Sequence, residues 1–137
     1  MKIELAAAPD DALRRTILAP LVAFNEALSG PSGHRALALV LRDADGVACG
    51  GLWGSTAYGW LYTQMLVVPE AARGQGLGRE LMRAAEAEAM RRGCTHAWVD
   101  TQFGGRGFYD RLGYTVFGEL ADYPPGFTRT FLKKSLR

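Results

Sequence analysis

Chemistry is concentrated in the segment LVVPEAARGQGLGR, residues 66–79. An apolar run is followed by Pro69, then Arg73, then glycines at alternate positions, Gly74, Gly76 and Gly78, and then a stretch with helical apolar spacing. Glycine lets a backbone approach a ligand closely, and the first turn of a helix carries N–H groups without intrahelical partners. Those donors and the helix dipole, equivalent to roughly half a positive charge at that end, favour an anion such as a pyrophosphate. The segment therefore predicts a strand, a loop and a helix start that hold a phosphorylated cofactor.

The elements around this loop follow from periodicity. Residues 2–7 alternate weakly and predict a short first strand. Between 10 and 29, Leu13, Ile17, Leu18, Leu21, Val22, Phe24 and Leu28 recur at helical spacing, giving one helix broken near Pro20 or two short ones. SGPSG (29–33) is a flexible loop. HRALALVLRD (34–43) and GVACGGLWG (46–54) are strand-like runs joined by DADG turn chemistry, hence an antiparallel hairpin. A third strand, 60–68, leads into the glycine loop. In the helix predicted over 76–92, Leu77, Leu81, Met82, Ala85 and Ala89 share a stripe, with Glu80, Arg83 and Glu86 away from it. Gly93 suits a left-handed cap. THAWVDT (95–101) follows a crossover helix and should run parallel to the strand 60–68. GGRGFYDRLGY (104–114) contains a loop and a short helix, and 114–118 and 128–133 are final strands joined by DYPPG.

With 137 residues and 48% hydrophobic content the chain suits one domain over 1–137, inside the usual range of roughly 100 to 150 residues. Sixteen basic against fourteen acidic residues leave +2 without like-charge blocks, so no nucleic-acid partner is expected. The start, MKIELAAAPDDALRR, lacks a leader pattern, and no run approaches the roughly 18 apolar residues of a membrane span. The expectation is a cytoplasmic protein without a membrane partner. Cys49 and Cys94 have no CxxC spacing and are expected as buried reduced thiols. Cys94 and His96 lack a second ligand pair, so no metal is expected.

The residues resemble the GCN5-related N-acetyltransferase (GNAT) family. Its signature is Gln or Arg, two residues, Gly, one residue, then Gly or Ala, matched by Arg73, Gly76 and Gly78 between a strand and a helix. FYDRLGY (108–114) is similar to the family's segment after its fifth strand. The resemblance implies an α/β fold with a mixed, mostly antiparallel sheet flanked by helices and splayed at an acetyl-CoA site. It implies transfer of acetyl from acetyl-CoA to a primary amine by direct attack in a ternary complex, the acceptor being a small molecule or a protein amine. Leu66, Val67 and Val68 would pair with the pantetheine arm as with a neighbouring strand. Arg73, Gly74, Gln75, Gly76, Leu77, Gly78 and Arg79 would bind the pyrophosphate. Tyr109 matches the tyrosine that protonates the departing thiolate. A phenol near ~10 beside a thiol near ~8.5 makes that transfer not strongly uphill on reference values. A homodimer is a further implication, consistent with aromatic residues at 10%.

This chain also departs from the family pattern. Where many relatives carry a glutamate on the strand before the glycine loop, it has Gln64, which is no useful base. Gln64 is read as orienting a water, hydrogen-bonding the acceptor, or simply filling a strand. Asp100 is an alternative base or a loop-bonding residue. Asn25 and Ser32, with His34, flank the segment that the resemblance puts over the acceptor side. Trp53, Trp60 and Trp98 read as core or interface. Two rivals stand beside the transferase reading. A dinucleotide-binding fold needs G-x-G-x-x-G, which the alternate glycines do not supply. A noncatalytic acyl-CoA binding or sensing module on the same fold is kept open by the absence of the strand glutamate.

Overall fold

The computed structural model describes residues Met1–Arg137. They form two compact units, Met1–Ser32 and Gly33–Arg137.

The first unit is built on helix α1, Asp11–Ser29. Asp10 caps its start by accepting from the Leu13 N–H at 2.8 Å, and Gly30, at φ 79°, closes its end by donating to Glu26 O. The break expected at Pro20 does not occur, and one helix runs through that position. Proline fixes φ near the helical value, so the chain can run through it at the cost of one backbone hydrogen bond and a crowded carbonyl four residues earlier. Residues 2–7 form no strand, contrary to expectation. A strand needs a partner for its backbone groups, and weak alternation in Ile3 and Leu5 does not provide one.

The second unit is a six-stranded sheet with helices on one face. Its strands are β1 (Arg35–Arg42), β2 (Ala48–Ala57), β3 (Trp60–Val67), β4 (His96–Thr101), β5 (Thr115–Leu120) and β6 (Arg129–Ser135), in spatial order β1-β2-β3-β4-β6-β5. Only β3 and β4 are parallel; the other four pairings are antiparallel. The crossover between β3 and β4 is α2, Leu77–Arg91, and a short α3, Arg106–Arg111, follows β4. In the β1–β2 turn, Asp43 Oδ1 accepts the N–H groups of Asp45 at 2.9 Å and Val47 at 3.0 Å, and Gly46 takes φ 79°.

The core lies between the sheet and α2. Leu61, Val99, Leu132 and Met82 are fully buried, joined by Ala85, Ala89 and Ala97. Each large side chain there contributes about 1.5–3 kcal/mol. Glu86 departs from expectation: instead of facing water it is 7% exposed, accepting from the Tyr114 hydroxyl at 2.8 Å and from Lys134 Nζ at 2.7 Å. Both partners come from beyond α3, so helix periodicity alone did not reveal them. At the other end of α2, Arg92 donates to the carbonyls of Arg35 and Ala36 and to the Thr56 hydroxyl, fastening the helix to β1 and β2. Cys94 is buried but Cys49, on β2 next to the turn, is exposed, and both are free thiols. Trp53 is 46% exposed rather than core, while Trp60 stacks on His96 and Trp98 on Tyr62.

Two irregularities prepare the site. In the β2–β3 ladder Trp53 pairs with Met65 and Gly54 with Thr63, so Gln64 is the extra residue of a β-bulge. A Cβ at Gly54 would run into the Tyr62 carbonyl, so the bulge also fixes a glycine across from it. Inward-facing positions are Leu61 and Thr63 before the bulge and Leu66 and Val68 after it. Second, β3 and β4 share rungs only from Trp60↔His96 to Thr63↔Val99, although both strands continue. Beyond that rung the sheet is split.

Candidate active site

Along the open edge of β3 lies a cleft of about 690 Å³. Leu66, Val67 and Val68 form one wall, and Arg73, Gly74, Gly76, Leu77, Gly78 and Arg79 form its end. Of the residues expected to bind the cofactor, only Gln75 is not part of the lining. The three glycines have different reasons to be there. Gly74 and Gly76 both take φ 80°, which a side chain disfavours, whereas a Cβ on Gly78 would press on the Phe108 ring at 3.3 Å. Gly78 thus makes room for protein rather than for a ligand.

Gly76 precedes α2 without any side-chain cap, so the first-turn N–H groups of the helix open toward the cleft. Arg73 is braced by an Nε hydrogen bond to Val68 O at 3.0 Å. Arg83 and Arg111 also line the cleft, and no Asp or Glu does. None of these four arginines has an ion-pair partner in the protein. The sequence reading missed Arg83 and Arg111. Arg83 follows Arg79 by one helical turn, a spacing that puts both on one face; Arg111 is in FYDRLGY, but its approach to α2 depends on tertiary packing. A long apolar wall ending in uncapped helix donors and four unpaired guanidinium groups fits an amide-rich arm with phosphates at its end.

At the base of the split stands Thr63, 3% exposed, whose Oγ1 is buried without a hydrogen-bond partner. Gln64 is exposed at the bulge. Tyr109, on α3, is 8% exposed and stands behind Phe108, whose ring it meets edge-on at 5.0 Å. It is not among the residues lining the cleft. Burial, reinforced by the Asp100 charge, pushes its phenol up to about 12. Asp100, on β4, is held by Arg129, with Nε at 3.0 Å and Nη2 at 2.6 Å from its Oδ2. Asn25 and Ser32 belong to the first unit. There the Asn25 carbonyl accepts from the Ser29 hydroxyl at 2.9 Å as ordinary helix bonding. His34, which begins the lead into β1, is exposed.

This six-stranded sheet, split between two parallel strands and fronted by a glycine-led helix, defines an acetyltransferase fold. The chain belongs to the GNAT family: residues 7–114 match the Acetyltransferase (GNAT) family. It is 42% identical over 135 residues to an acetyltransferase of Agrobacterium fabrum, covering 98% of each chain. It is 43% identical over 93 residues to the blasticidin-S acetyltransferase of Streptomyces morookaense, covering 66% of this chain and 68% of that one. A crystal structure from Agrobacterium tumefaciens superimposes with a TM-score of 0.93 at 42% identity, over 98% of this chain and 99% of the other. An acetyltransferase from Bacillus cereus shares the fold with a TM-score of 0.83 at 24% identity, over 97% and 98%. No helix is long and apolar enough to cross a membrane.

Proposed function

We propose that the chain, 1–137, works as one acetyl-CoA-dependent N-acetyltransferase domain that acylates a primary amine by direct attack in a ternary complex. The observation that carries this reading is the cleft: an open strand edge leading to an uncapped helix start and four unpaired arginines. Leu66 and Val68 would offer backbone N–H and C=O groups to the pantetheine arm, and the 73–79 loop would hold the phosphates. The buried Thr63 hydroxyl is a spare donor at the base of the split. Backbone N–H groups of 66–68 would polarise the thioester carbonyl.

Tyr109 would supply the proton that sulfur gains. With its phenol at about 12 and a thiol near ~8.5, complete transfer is uphill by about 5 kcal/mol. Tyr109 therefore acts as a hydrogen-bond donor to the developing charge on sulfur, more than as a full acid. The expectation from reference values, of a transfer not strongly uphill, is replaced by this one because the ring is buried.

The similarity to a blasticidin-S acetyltransferase supports blasticidin S as the first acceptor to try. The experiment is release of CoA thiol from acetyl-CoA with blasticidin S and a panel of amines. Thiol release that depends on an amine, with the acetylated amine found by mass spectrometry, supports transfer. Tight CoA binding with no transfer to any amine favours the noncatalytic acyl-CoA module, which the exposed amide of Gln64 in the base position also fits.

A further inference from the structure

Asp100 lies just past the last rung shared by β3 and β4, Thr63↔Val99, and so at the mouth of the split. Ala97 and Val99 are fully buried in the core with Tyr109, and strand alternation sends Asp100 to the opposite face. A group lodged in the split would thus meet Asp100 from the face opposite to the one on which Tyr109 packs. That is the disposition that attack by a nucleophile and departure of a leaving group require.

The Asp100 side chain is 7% exposed. Both nitrogens that Arg129 commits to it fall on Oδ2, while Oδ1 receives only the Tyr62 hydroxyl at 3.5 Å. An ordinary O–H···O bond is about 2.7–2.8 Å, and a carboxylate accommodates about four donors. Oδ1 therefore retains room for a further N–H. Its two supports are themselves held: Arg129 lies over the Tyr123 ring at 4.7 Å and Tyr62 stacks on Trp98 at 4.1 Å. Around this carboxylate the loops 102–105 and 121–128 carry Phe103, Tyr123 and Phe127, all well exposed. Phe103 meets Phe127 edge-on at 5.0 Å, and Gln102 Nε2 donates to the Tyr123 carbonyl at 3.2 Å, joining the two loops into one rim. An aromatic rim above one oriented carboxylate oxygen is complementary to an ammonium on a flat or apolar body.

We propose that Asp100 Oδ1 receives the ammonium of the acceptor, a primary amine carried on a flat or apolar body, with Arg129 and Tyr62 as positioning residues. The assignment rests on the transfer reading of the split. The nitrogen sheds two protons overall: one passes by way of Oδ1 to solvent, and the other is balanced by the proton sulfur gains. The nitrogen lone pair forms the bond to the thioester carbonyl carbon, and the C–S pair leaves on sulfur.

The test uses the full chain saturated with CoA and compares benzylamine with benzyl alcohol by calorimetry. Benzylamine should bind at least tenfold more tightly, and Asp100→Asn, which still accepts from Arg129, should abolish the preference. In the wild type, nuclear Overhauser contacts should link the benzylamine ring to Phe103, Tyr123 or Phe127, a readout that does not depend on any variant folding. Equal affinity for the two probes, a preference that persists in a folded Asp100→Asn variant, or contacts elsewhere would overturn the assignment. The CoA titration that precedes the probes reports on the cofactor cleft separately. Failure there counts against the proposed function, whereas normal CoA binding with indifferent probes counts against the acceptor site alone.

Discussion

Tyr109→Phe removes one hydroxyl and keeps the ring, so its contacts with Phe108 and Tyr114, at 5.0 and 5.8 Å between centroids, should survive. Lost acid catalysis typically costs 10²- to 10⁴-fold, but the environment of this residue argues for less. With the phenol at about 12, the hydroxyl contributes as a hydrogen bond to developing charge, worth about 1.5–3 kcal/mol. At 1.36 kcal/mol per factor of ten, turnover should fall roughly 10- to 150-fold. The sign of the pH dependence follows as well. A phenol at 10 would lose its proton, and its function, as pH approaches 10, whereas one at about 12 stays protonated. The wild type should therefore show no loss from this group between pH 7 and 10. The assay is kcat at saturating acetyl-CoA and acceptor across that range, beside CoA affinity and melting temperature for both proteins. Undiminished turnover in the variant would refute a role at sulfur. An alkaline limb near pH 10, present in the wild type and absent in Tyr109→Phe, would refute the argument from burial.

Gly76→Glu puts a carboxylate at the helix start and a side chain at φ 80°, a conformation costing roughly 1–2 kcal/mol. CoA affinity should drop more than about 10²-fold by calorimetry while the protein remains folded by circular dichroism. Lys134→Ala leaves the buried Glu86 carboxylate with Tyr114 alone. That should cost about 2–4 kcal/mol, read as a lower denaturant midpoint with CoA affinity unchanged. β5 is a free sheet edge and carries Phe117 at 52% exposure, which makes it the expected seam of a homodimer. Light scattering should give twice 14.9 kDa, and Phe117→Lys should return the monomer mass.

The glycine loop was legible because local chemistry decides it: alternate glycines after an apolar run mark a backbone free to take angles closed to other residues, and Gly74 and Gly76 do adopt left-handed angles. The hairpin was legible for the same reason, since Asp43 and Gly46 build its turn from within. What escaped the sequence depends on partners far along the chain. Glu86 is 28 residues from Tyr114 and 48 from Lys134, and a helical wheel places it on a wet face until both arrive. Asp100 was visible only as a strand-end carboxylate, because Arg129 reaches it through the β4–β6 pairing 29 residues later. Arg83 and Arg111 look like surface charges in sequence; the packing of α3 against the start of α2 turns them toward one cleft.

The bulge at Gln64 has a consequence for how this strand tolerates lengthening or shortening. Inward positions are odd-numbered before it, Leu61 and Thr63, and even-numbered after it, Leu66 and Val68. Strand side chains alternate with a period of two, so one residue more or less exchanges the two faces of everything downstream. Here the bulge has already absorbed one extra residue: Gln64 and Met65 both face outward between Thr63 and Leu66, so removing Gln64 would restore regular alternation and leave Leu66 and Val68 facing inward. Gly54↔Thr63 and Trp53↔Met65 would become neighbouring regular rungs, and what would go is the local bend and extra twist that a bulge gives its strand. Substitutions at this position are therefore a question of chemistry, while its deletion would straighten the strand and keep the residues of the cleft wall on their present face.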